Sequence, residues 1–247
     1  MDQTAYEKSL YQAKISLEAG RSEEALDYME NIIKAKSKDL TEEERNLVSI
    51  ASKNCVSSKR AAWRSIYGIE VKEKSNNSKY EPLVTDLKHK LENELLTACN
   101  RMLDFIDNYL LKNSSCTESK VFYLKLKGDY YRYIAEFSQT ESHSEIAQNS
   151  LNAYKEAYEA ASELKCNNPI KLGLALNYSV FYFEVLDNPV EAINIANTAF
   201  NEGITNLENI VENHYKDATN ILQLLKENIN MWSNELAEEQ GIENNDM

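Results

Sequence analysis

Apolar residues recur along this chain at the three-and-four spacing of helices that bury one face. In the segment ending near residue 235, Ile221, Leu224, Leu225, Asn228 and Trp232 fall at i, i+3, i+4, i+7 and i+11, one stripe on a 3.6-residue period. Leu47, Ile50, Ala51, Asn54 and Cys55 repeat the arrangement earlier in the chain. Helix starts are marked chemically. Thr41 followed by Glu44 is a capping box ahead of an apolar-periodic run. Asn188-Pro189 followed by Glu191 supplies an N-cap, a proline at the first helical position and a box partner. Asn168-Pro169 and Glu81-Pro82 are starts of the same kind, and Asn/Ser clustering marks 71–80 and 112–117 as loops. The pattern predicts nine helices, at 4–19, 22–36, 41–74, 82–112, 118–139, 144–164, 169–186, 189–204 and 207–235. Short connections make consecutive helices antiparallel neighbours. Residues 1–235 are expected to form a single all-α domain. Residues 236–247, acidic and poor in large apolar side chains, are expected to be a disordered tail. No 34-residue helical-hairpin repeat is detectable.

Composition narrows the function classes. Glycine and proline number 6 and 3 in 247 residues, too few for an all-β sandwich or for glycine-rich nucleotide loops. With 27 Lys+Arg against 40 Asp+Glu, the net charge is −13, which repels nucleic acid and anionic membrane faces. A local basic patch can still bind an anion inside such a protein. The most apolar stretch, 172–186, is interrupted by Asn177, Ser179 and Glu184 and is too short to span a bilayer, so no membrane insertion is expected. Cys55, Cys99, Cys116 and Cys166 form no CxxC pair and no disulfide ladder. The opening MDQTAYEKSL lacks the apolar core of a signal segment, and the simplest compartment is the cytoplasm.

Catalytic patterns fail. His89, His143 and His214 have no HExxH context, and GxSxG, GxxxxGK[ST] and GxGxxG do not occur. Asp86 and His89 share one helix face beside Lys88 and Lys90, which reads as solvated surface rather than half of a metal site. No enzyme, cofactor or metal is expected.

Anion binding fits better. Lys53, Arg60 and Arg64 lie in one predicted helix, and Lys53 and Arg60, seven apart, share a face with Val56 and Trp63 near its edges. That placement suggests a groove. Farther on, YLKLKGDYYRY (123–133) sets Arg132 among tyrosines. A guanidinium matches phosphate bidentately, a lysine adds a point charge and a phenol adds a neutral donor. The bland alternative is that these cations sit on a solvated face or pair with Asp129 and Glu136. Asn177 and Glu184 lie seven apart in an otherwise apolar helix, and Asn228 interrupts another. These amides either bond to each other or to backbone, or hold the main chain of an extended peptide.

The chain resembles the 14-3-3 family. RNLVSIASKN (45–54) and YKDATNILQLLKENINMW (215–232) are similar to the two signature stretches of that family. YLKLKGDYYRYIAE (123–136) and 172–204 extend the likeness to about residues 5–235. The resemblance implies nine antiparallel helices forming a concave amphipathic groove, with two protomers in a cup-shaped homodimer or heterodimer. It implies a non-enzymatic adaptor that binds client proteins carrying phosphoserine or phosphothreonine and masks, clamps or relocates them. By motif, Lys53, Arg60, Arg132 and Tyr133 would hold the phosphate, and Asn177 and Asn228 the peptide backbone. Lys125, Leu176, Val180, Glu184, Ile221, Leu224 and Trp232 would line the rest of the groove. Arg21 and Glu94 match a cross-dimer ion pair, Glu24 and Lys90 a second, and Ile15 and Ala19 would lie at the same interface. The chain departs from the family pattern at Asn220, where a groove-wall leucine is usual. Leu87 takes the place of a common interface tyrosine, and Ala61-Ala62 the place of a serine. The competing reading is a helical scaffold that binds acidic or unmodified peptides without phosphate dependence.

Overall fold

The computed structural model describes residues 2–36, 38–138, 140–210 and 212–243. Among the described residues there are nine principal helices and no strands. They are α1 (Gln3–Glu18), α2 (Ser22–Ala35), α3 (Glu42–Ser75), α4 (Glu81–Phe105), α5 (Thr117–Phe137), α6 (Thr140–Ala160), α7 (Pro169–Glu184), α8 (Pro189–Thr205) and α9 (Glu212–Glu243). Helix α4 runs on through a π-turn at Ile106–Leu110 to a last α-turn at Leu111–Asn113. The chain divides into two compact units, Met1–Ser115 and Cys116–Met247.

The caps form as the sequence requires. Thr41 Oγ1 accepts from the Glu44 backbone N–H at 3.3 Å while the Glu44 carboxylate accepts from the Thr41 backbone N–H at 2.6 Å. Asn168 and Asn188 cap α7 and α8 through their side-chain oxygens, each with proline at the first helical position. Gly20, at φ +73°, makes the turn from α1 to α2, a conformation open to glycine without steric cost.

In the first unit, α1 packs on α2, α2 on α3, and α3 on α4. Met29, Ile32, Leu95, Met102 and Ile106 are fully buried there. Glu44 is also fully buried, and its carboxylate accepts from Lys36 Nζ and from the Tyr6 hydroxyl at 2.9 Å. One buried charge thus ties α1, the end of α2 and the start of α3 together. In the second unit, α5 packs on α6 and α7, and α7, α8 and α9 pack on one another. The latter three close over Leu172, Ala192, Ala196, Ala218, Leu222, Leu225 and Trp232.

Three expectations change in detail. The buried seam of α3 is Val48, Ala51, Ser52, Cys55 and Val56, one step round from the predicted stripe, and Ile50 is exposed. Period alone finds a stripe, but α2 and α4 both lean on α3 and decide which side is covered. Helix α3 extends to Ser75, so the predicted loop at 71–80 shrinks to the turn around Asn77, at φ +49°. Helix α9 continues to Glu243, past the expected end at 235, and residues 244–247 of the expected tail lie outside the described residues.

Candidate ligand-binding site

Helix α5 carries the densest chemistry. Lys125, Asp129, Arg132 and Tyr133 fall at i, i+4, i+7 and i+8 and share one helix face. Gly128 lets α6 come close enough to complete the group. A Cβ at Gly128 would stand 2.7 Å from the Tyr154 ring, nearer than packed atoms allow, and Ser150 Oγ donates to the Gly128 carbonyl at 2.9 Å. Tyr154, fully buried, donates its hydroxyl hydrogen to Asp129 Oδ1 at 2.5 Å. The same hydroxyl oxygen accepts from Arg132 Nε at 3.3 Å. From α7, Asn177 Nδ2 donates to both Asp129 oxygens at 2.8 and 3.0 Å. Lys125 Nζ closes the set on Asp129 Oδ2 at 3.0 Å.

Arg132 is 8% exposed and is held on several sides. Its Nη2 lies 3.8 Å from Asp129, its Nη1 donates to Glu184 on α7 at 3.4 Å, and its guanidinium stands 4.8 Å from the Tyr133 ring centre. Burial alone would depress the Arg132 pKa, but Tyr154, Asp129 and Tyr133 outweigh it and raise it, so the cation is permanent. Burial likewise pushes the Asp129 carboxyl up, yet the charges of Lys125 and Arg132 and the bond from Tyr154 bring it below its ordinary value. Burial and the adjacent Asp129 carboxylate push the Tyr154 phenol up, which keeps it a donor. The result is a fixed array of charged and hydrogen-bonding groups whose donors are set before any ligand arrives.

The sequence-predicted residues of the second unit thus fall into two groups. Lys125, Arg132, Asn177 and Glu184 are joined through Asp129 and Arg132, with Tyr133 beside the guanidinium. Leu176, Val180 and Ile221 are partly buried against the core of α7, α8 and α9, and Leu224 is exposed at its margin. Asn228 is half-buried on α9. Trp232 is 2% exposed, lies in the core of α7, α8 and α9 and stacks on Phe183 at 4.9 Å. The choice between mutual and backbone bonding for Asn177 is replaced by a carboxylate partner, Asp129. Asp129 entered the sequence reading only as a competitor for Arg132, and Tyr154 did not enter it. Gly128 inside a helical pattern was the one legible signal of a close approach at this point.

In the first unit, Lys53 is exposed and Arg60 half-buried on α3. Trp63, read as a groove edge, is instead 8% exposed, donates Nε1–H to Glu92 on α4 at 3.1 Å and stacks on Tyr67. Lys59 pairs with Glu23 at 2.9 Å. Ile15, Ala19, Lys90 and Glu94 are exposed, as is Leu87. Arg21 and Glu24, assigned to two different cross-dimer pairs, bond to each other within the chain. His89 is exposed, and no cluster of metal-ligating side chains occurs among the described residues. No described helix is long and apolar enough to cross a membrane.

Comparison with known proteins places this arrangement. The model of the 14-3-3 protein family matches residues 12–233. The chain belongs to the 14-3-3 family. It is 45% identical over 243 residues to 14-3-3-like protein B of Hordeum vulgare, covering 97% of this chain and 93% of that protein. It is 44% identical over 236 residues to 14-3-3 protein 5 of Solanum lycopersicum, covering 94% and 92%. It is 44% identical over 239 residues to 14-3-3-like protein GF14 chi of Arabidopsis thaliana, covering 96% and 90%. The 14-3-3 match spans both compact units. Members of the 14-3-3 family are non-enzymatic adaptors that bind phosphorylated protein partners and dimerise.

Proposed function

We propose that this chain is a dimeric adaptor that binds extended peptide segments of client proteins through phosphoserine or phosphothreonine. The observation that carries the reading is Arg132. It is a buried, permanently charged guanidinium, braced by Asp129 and Tyr154 and set beside the Tyr133 phenol. A phosphate brings about −1.5 to −2 charges and three acceptor oxygens, and each charge-assisted hydrogen bond to it contributes roughly 1.5–3 kcal/mol. Arg132 and Tyr133 are the proposed phosphate holders of the second unit, and Lys53 and Arg60 are the cations of the first unit proposed for phosphate binding.

Asn177 and Asn228 are the proposed holders of peptide backbone. Asp129 engages the Asn177 NH2 group, which fits the amide to accept a peptide N–H through its oxygen. Lys125 and Glu184 are the proposed polar lining, Leu176, Val180, Ile221 and Leu224 the proposed apolar wall, and Trp232 its backing. Clients would be masked, clamped or relocated, and the protein would work in the cytoplasm.

The test is calorimetric titration of the full-length protein with one client-type peptide in phosphorylated and unphosphorylated form. Phosphate-dependent affinity is expected. Replacing Arg60 or Arg132 by alanine should weaken the phosphopeptide by roughly 30- to 1000-fold, the scale of removing one partner of a desolvated charge pair, while the helical circular dichroism persists. Equal affinity for the two peptides would overturn the reading in favour of a phosphate-independent scaffold.

A further inference from the structure

Two carboxylates flank Arg132, and their surroundings differ. Asp129 is 4% exposed and receives hydrogen bonds from Lys125, Tyr154 and Asn177, with Arg132 Nη2 beyond at 3.8 Å. Removing it from this set would strand the Lys125 charge and leave the Tyr154 hydroxyl without its acceptor. The Glu184 side chain is 47% exposed, and its one ion pair among the described residues is the 3.4 Å contact with Arg132 Nη1. It stands at the last position of α7, where the chain turns away through Asp187 at φ +49°. Lys125 pairs with Asp129, and Arg132 stands between Asp129 and Glu184.

Arg132 Nη1 is already engaged by Glu184, so an anion that takes this nitrogen must displace that carboxylate. We propose that Asp129 and Glu184 have opposite roles: Asp129 is a positioning residue that fixes Arg132, Lys125 and Asn177, and Glu184 is a displaceable counter-ion that the ligand's phosphate replaces on Arg132. The inference rests on the phosphopeptide reading of this site. An exposed carboxylate regains water when it leaves, so its release costs little. A buried one with three strong donors cannot leave without exposing uncompensated groups. Glu184 therefore sets a threshold: a ligand must offer Arg132 more than a carboxylate does. A phosphate, with three oxygens and nearly two charges, meets that condition. Because the cost of moving Glu184 is the same for every ligand that displaces it, its removal should raise all such affinities by a common factor.

The experiment measures the affinity of the wild-type protein, Glu184→Gln and Asp129→Asn for a phosphoserine peptide and for the same peptide with aspartate at that serine. Glu184→Gln keeps the shape at an exposed position and should bind the phosphopeptide about 3- to 10-fold more tightly. The aspartate peptide should gain by the same factor. Asp129→Asn should weaken the phosphopeptide 10-fold or more, and thermal melting reports whether that variant keeps its fold. Unchanged or weaker binding by Glu184→Gln, with phosphate-dependent wild-type binding intact, overturns this proposal and leaves the reading of the site standing. Wild-type binding that ignores the phosphate overturns both.

Discussion

Asn177 donates to both oxygens of the Asp129 carboxylate, at 2.8 and 3.0 Å, across 48 residues of chain. The contact joins the middle of α5 to the middle of α7. It also fixes the orientation of an amide that would otherwise rotate freely, because a carboxylate accepts only from the NH2 end. The Tyr154 hydroxyl completes the same carboxylate from α6, so three helices meet at one buried charge.

That meeting depends on the absence of a side chain at Gly128. Gly128→Ala would set a methyl group 2.7 Å from the Tyr154 ring. We expect Tyr154 to be pushed off Asp129 and Arg132, at a cost of about 1–3 kcal/mol in stability, the scale of overpacking a close interface. Urea denaturation would measure it, and phosphopeptide affinity should fall in parallel. A variant as stable and as tight as the wild type would show that the ring shifts without consequence.

Acid should loosen the first unit through Glu70. This residue is 2% exposed on α3 and accepts from Thr85 and Lys88 of α4, both at 2.8 Å. The Lys88 bond, acting against burial and aided by Thr85 and Lys74, lowers its pKa from 4.5 to about 2. A folded-state value below the unfolded one means the carboxylate stabilises the fold above about pH 4.5. That contribution is lost as pH falls toward 2. Glu70→Gln should therefore cost on the order of 1–3 kcal/mol at pH 7, and the two proteins should converge in stability near pH 2. Parallel pH–stability curves would contradict the assignment.

Asn220, exposed on α9 beside the partly buried Ile221, is expected to reduce the preference for large apolar residues flanking the phosphosite. Leucine there would add roughly 1–2 kcal/mol of apolar contact with such a client side chain. A peptide array comparing the wild type with Asn220→Leu should show about 5- to 30-fold enrichment of bulky flanking residues in the variant. Identical profiles would mean that this position faces away from clients.

The proposed dimer makes a separate demand. Sedimentation at micromolar concentration should give twice the 28.3 kDa chain mass. Tyr11 and Ile15 on α1 and Leu83 and Leu87 on α4 are all large apolar residues left exposed in the single chain. Ile15→Asp should shift the population strongly to monomer. Arg21→Ala should shift it only slightly, because an ion pair open to water contributes little and Arg21 already pairs with Glu24 within the chain. A wild-type protein sedimenting as a single chain would refute the dimer.

The sequence by itself determined the helices, because the forces that make them are local. Thr41, Asn168 and Asn188 sit within four residues of the backbone groups they cap, and Gly20 needs only its own φ to turn the chain. The 3.6-residue stripes followed from the same short range, and so did the setting of Arg132 among the tyrosines of 123–133, whereas Lys125 entered only through the family resemblance. Tertiary structure decided which stripe is covered. Val48 rather than Ile50 is buried on α3, and Leu222 rather than Leu224 on α9, because neighbouring helices choose the side. It supplied the partners of the two tryptophans, Glu92 for Trp63 and Phe183 for Trp232. It also chose the partners of the charged groups. Spacing along one helix gives Arg132 only Asp129 and Glu136 as nearby acids, whereas packing supplies Tyr154 from 22 residues away and Glu184 from 52. Desolvation and hydrogen bonding act between atoms that the fold brings together, and no period in the chain encodes that distance.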